Sequence, residues 1–70
     1  MEVFCRSTET THRFTVGTKA GYAVSVINRK VPHGKPFALY IEAVKVGEAS
    51  IAFGNDADLV DYGDGWRLMT

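Results

Sequence analysis

A single cysteine, Cys5, in a chain of 70 residues most constrains what this sequence can fold into. One thiol closes no internal disulfide, so nothing covalent offsets a small core. A chain of this length buries only about 60% of the surface its unfolded form exposes. Side-chain packing must hold the fold, and a subunit partner is the remaining source of burial. The sequence is 46% hydrophobic and 23% charged, the balance of a globular chain rather than a disordered one. The length accommodates one domain, residues 1–70.

Strand-like runs dominate. Thr11-His12-Arg13-Phe14-Thr15-Val16 alternates and is rich in β-branched and aromatic residues, and Tyr22-Ala23-Val24-Ser25-Val26-Ile27 reads similarly. The glycine-bracketed loop Gly17–Gly21 between them predicts a β-hairpin. His12, Phe14 and Val16 would share one face and meet Tyr22, Val24 and Val26, with Ile27 out of phase.

Val31-Pro32-His33-Gly34-Lys35-Pro36 is a loop, because proline lacks the amide donor and restricts the residue before it. Phe37–Val46 has two readings. As a strand it lines one face with Phe37, Leu39, Ile41 and Ala43 and turns Tyr40, Glu42 and Val44 the other way. As a helix over about 36–46 it would start on Pro36 and end at Gly47. The aromatic and β-branched content favours the strand, which Ala49–Phe53 completes as a second hairpin. Val3-Phe4-Cys5 opens the sheet and Trp66–Met69 closes it, with Leu59–Tyr62 a short strand or helical turn. The expected fold is therefore mostly β: a small barrel or sandwich of five to six short antiparallel strands. The alternative is α+β with one helix at about 36–46.

Charge divides the chain. Residues 1–36 carry six basic and two acidic side chains, net +4; residues 37–70 carry two basic and six acidic, net −4. Either the two halves intermix on the surface, or the molecule has a basic and an acidic face.

Little in the sequence points to chemistry. Asp56, Asp58, Asp61 and Asp64 cluster, but an EF-hand register puts Val60 at a ligand position and lacks the closing glutamate, so turn capping is the reading. Cys5, His12 and His33 lack zinc-site spacing. Neither a phosphate-binding glycine loop nor a Gly-x-Ser-x-Gly turn occurs. The chain is expected to be no enzyme and to need no metal or cofactor.

The start Met1–Arg6 has neither a basic leader nor an apolar run, and no stretch approaches a membrane span. With one free thiol, a soluble cytoplasmic protein with no membrane association is expected.

The surplus of apolar side chains points to binding instead. Tyr40 and Val44 fall on the face opposite the presumed core, and Tyr62 and Trp66 sit beside acidic turns, the setting of interface anchors. The expectation is a protein–protein interaction module, an adaptor or inhibitor, that also self-associates. The alternative is a small nucleic-acid-binding module using Arg29, Lys30 and Lys35.

Overall fold

The computed structural model describes residues 1–70. Strands β1 (Glu2–Cys5) and β2 (Thr10–Arg13) precede helix α1 (Ala20–Arg29), and β3 (Ile41–Val44), β4 (Ile51–Phe53) and β5 (Arg67–Met69) follow it. The strands form one sheet in the order β2-β1-β5-β3-β4. β1 and β5 run parallel at its centre, and the other pairs are antiparallel. The fold is mostly β, with strands where Val3–Cys5, the Ile41 region, Ala49–Phe53 and the chain end promised them. The sheet stays open, with β2 and β4 as edges. One face is buried under a helix rather than by closure into a barrel.

The pleat explains which side chains lie under that helix. Val3 on β1, Leu68 on β5 and Ala43 on β3 stand side by side across the sheet. They join Cys5, Ile41, Phe53 and Leu59 in a core of ten buried residues completed by Ala20, Ala23 and Ile27 of α1. The opposite face carries Glu2, Phe4, Glu42, Val44, Arg67 and Met69, none fully buried. Ion pairs Arg13–Glu2 at 2.8 Å and Arg6–Glu42 at 3.0 Å cross it, and the Arg67 guanidinium sits 5.6 Å from the Phe4 ring centroid.

Four sequence expectations are corrected here. Tyr22–Ile27 is helical, not the second strand of a hairpin: Ala20, Ala23 and Ile27 recur at helical spacing and face the sheet. Ile27, out of phase as a strand residue, is fully buried as a helical one. No helix forms over 36–46, because Ile41–Val44 pairs with both β4 and β5. Phe37 and Leu39 leave the core face that alternation gave them and are 65% and 84% exposed. Leu59–Tyr62 is neither strand nor helical turn, although Leu59 itself is buried.

The start of α1 has an unusual source of support. Lys19 at the N-cap makes no side-chain cap. Instead the amides of Ala20 and Gly21 donate to the carbonyls of Ala57 and Asn55 at 2.8 and 2.9 Å. The Leu59 amide in turn donates to the Thr18 carbonyl at 2.8 Å, and Lys19 pairs with Asp58 at 2.7 Å. The loop after β4 thus satisfies donors that every helix start leaves open. A β-carbon on Gly21 would come within 3.0 Å of Asn55, so glycine lets the loop approach this closely.

His12 pairs across β1–β2 with Val3 and so faces the helix side, with Thr10 Oγ1 3.1 Å from its Nε2. Burial, and then the nearby Lys30 ammonium, hold its pKa below the usual 6.5. The unfolded chain therefore takes up a proton at this site more readily than the folded one. Stability is full above pH 6.5 and falls as the pH drops through that value toward the lower folded pKa. Melting temperature measured between about pH 7 and 5 should decline, and His12→Gln should flatten the decline. An identical slope in the variant would assign it elsewhere.

Candidate interaction surface

The surface that stands out is built by the end of α1. Asn28 donates from Nδ2 to the Ala38 carbonyl at 2.9 Å and accepts from the Ala38 amide on Oδ1 at 2.7 Å. This two-point clamp takes both backbone polar groups of one residue, as a neighbouring strand would. It holds Ala38 inward against the core, and the residues on either side face outward by the alternation of extended backbone. Phe37 and Leu39 are thereby displayed, with Tyr40, 47% exposed, beside them.

A groove of about 220 Å³ runs along this segment. Pro36–Tyr40 form one wall, and Arg6, Ser7 and Thr70 the other. Thr70, which lines it, directly follows the last residue of β5. Arg6 at its rim is engaged with Glu42 and, at 3.4 Å, with the Met69 sulfur. Hydrogen bonds from Arg6 and then Ser50 keep the Glu42 carboxyl below the usual carboxylate range.

A second group forms around Tyr62. Its ring lies 6.0 Å from that of Phe53 and 5.5 Å from that of Trp66, tilted in both cases. Trp66 is partly buried and packs against the core, whereas Tyr62 is exposed. A cavity of about 230 Å³ beside them is also lined by Phe4 and Arg67. Asp61 Oδ1 accepts from the Gly63 amide at 2.8 Å, which is the turn-capping role expected of this loop.

The residues singled out in the sequence are thus split among different places. Tyr62 and Trp66 come together. Tyr40 lines the groove, whereas Val44 sits four residues along, half-buried on the helix-free face opposite Arg67. Arg29 ends α1, Lys30 follows it as the C-cap and Lys35 lies in the next loop, all exposed. Tyr22 sits near the opposite end of the helix, too far to form a stacking platform with them. Phe37 and Leu39 are the residues sequence reasoning missed. The available signal was Pro36 immediately before them, which breaks the pattern that would have carried them into the core.

No family model, curated protein or solved structure was found to match the chain. Cys5, His12 and His33 do not converge, and no three histidine, cysteine or acidic side chains are grouped as a metal would need. The Cys5 thiol is fully buried. Burial pushes its pKa up, but hydrogen bonds from the Thr8 and Ser7 hydroxyls, the Thr8 backbone and Thr70 outweigh this and bring it to about 7. No helix is long and apolar enough to cross a membrane.

Proposed function

We propose that the chain is a non-catalytic protein-binding module that self-associates through the Phe37–Tyr40 segment. The carrying observation is the Asn28 clamp, which turns two large apolar side chains into solvent and holds them there. A flexible loop would lose conformational entropy on binding; a segment fixed in advance loses less. Such an adaptor or inhibitor would work in a cytoplasmic, reducing setting, which the unpaired buried thiol suits.

Sedimentation over a concentration series tests this. The wild type should rise in weight-average mass above 7.7 kDa as concentration increases. The double variant Leu39→Glu/Tyr40→Glu should stay monomeric at unchanged melting temperature, since both side chains are exposed. A wild type that remains monomeric to about 1 mM would remove self-association, because a contact that weak contributes no more than about 4 kcal/mol.

Nucleic-acid binding is the second reading, favoured by one observation: Arg29 and Lys30 at the helix end and Lys35 in the loop after it are exposed and form no ion pair within the chain. Salt-dependent binding of a labelled oligonucleotide, lost in the triple alanine variant, would favour it over protein binding.

A further inference from the structure

We infer that the self-association proposed above is head-to-tail, the basic apolar end of one copy receiving the acidic apolar end of the next. The inference rests on the self-association reading and adds its partner surface and geometry.

The receiving end is the one already described. Phe37 and Leu39 stand exposed, and the chain leading to them from the helix end carries Arg29, Lys30 and Lys35, all exposed. The donating end is the loop that docks on the start of α1. It exposes Val60 and Tyr62 among Asp56, Asp61 and Asp64. The hydrogen bonds of Ala20, Gly21 and Leu59 fix this loop to the N-terminal end of the helix, while the basic group follows its C-terminal end. Ten helical residues, about 15 Å, separate the two ends, so the charges cannot neutralise one another within one molecule.

Neither group takes part in the chain's ion pairs. These are Arg6–Glu42, Arg13–Glu2 and Lys19–Asp58, and none uses the three basic or the three acidic residues just named. Three cations outside those ion pairs at one end thus oppose three carboxylates outside them at the other, where Asp56 also acts on Lys19 and Asp61 accepts from the Gly63 amide. A second copy carries the complement of both, and a net charge of zero leaves no overall repulsion between copies. A two-fold contact centred on either end would set like charge against like, which is strongly disfavoured. Heterologous contact leaves each terminal copy with one open end, so growth continues past the dimer.

The test uses two doubly reversed variants, Arg29→Glu/Lys35→Glu and Asp56→Lys/Asp64→Lys. All four residues are exposed and none makes a side-chain hydrogen bond within the chain, so both variants should fold. Melting curves check this, and Lys35→Glu or Asp64→Lys alone replaces any double variant that does not. Mass is measured by sedimentation at about 0.02 M and about 0.5 M salt, where screening lengths differ several-fold. The wild type should pass beyond dimer mass at low salt and shrink at high salt. Each variant alone should be monomeric, and their equimolar mixture should again pass beyond twice the 7.7 kDa monomer mass, because each end of one variant meets an oppositely charged end of the other. A wild type that saturates as a dimer, or variants that assemble as it does, would overturn the head-to-tail geometry while leaving self-association standing. A wild type monomeric at both salts would overturn both.

Discussion

Ile27→Ala is expected to cost about 2–5 kcal/mol, the range for removing a large buried aliphatic side chain and leaving a cavity. The reason is how few large side chains anchor the helix. Of the three α1 residues buried against the sheet, two are alanines, so Ile27 is the only one with substantial volume to lose. A 70-residue domain has a total stability of about 4–10 kcal/mol, so the variant forfeits a large share of it. Urea unfolding followed by circular dichroism should show a midpoint far below the wild type at a similar slope. Ile27→Val, which removes one methylene, should cost about 1 kcal/mol. A loss below that in the alanine variant would mean that the helix is held mainly by its loop contacts and not by its buried face.

Asn28→Ala should act on both stability and assembly. It deletes two hydrogen bonds and leaves the amide and carbonyl of Ala38, a partly buried residue, without those partners. Each lost bond is worth about 1 kcal/mol, more where the orphaned group stays dry, so about 2–3 kcal/mol in total is expected. Asn28→Asp should be no milder: it can still accept from the Ala38 amide, but it sets a charged oxygen against the Ala38 carbonyl near a helix C-terminus. Hydrogen exchange at the Ala38 amide should accelerate in both variants, and self-association should weaken about tenfold or more as Phe37 and Leu39 lose their fixed display. An unchanged exchange rate would show that the segment is held by something other than the clamp.

What could be read from the sequence follows from how local each determinant is. Strands β1 to β5 were legible, β2 from the start of the Thr11–Val16 run, because their residues alternate or carry β-branched and aromatic types between turn signals. The helix was not, for two physical reasons. Its buried stripe is mostly alanine, so Tyr22, Val24 and Val26 outweighed it and mimicked a strand's alternation. Its start carries no capping side chain, the open amides being met by carbonyls more than thirty residues away. Phe37 and Leu39 escaped for a similar reason: they point outward because Asn28, in another element, grips the residue between them. Tyr62 and Trp66 were flagged by their acidic setting, and the structure does bring them together. The charges at the two ends of α1 gain their meaning only once the chain has folded the acidic loop back onto the helix start.

The side-by-side placement of the first and last strands has a consequence for how the molecule comes into being. The centre of the sheet is the β1–β5 pair, and the Thr70 amide reaches the Phe4 carbonyl at 3.0 Å across almost the whole sequence. The β1–β2 hairpin can form locally, yet its partner β5 lies more than fifty residues further along the chain. Until β5 docks, β1 lacks one neighbour, β3 also lacks one, and the surface that Leu68 should cover is open to water. Closing so long a loop is entropically costly and slow, and until it closes the folding chain carries two unpaired strand edges. The interval before β5 docks, rather than the finished fold, is then when this chain is most exposed to mispairing along bare strand edges.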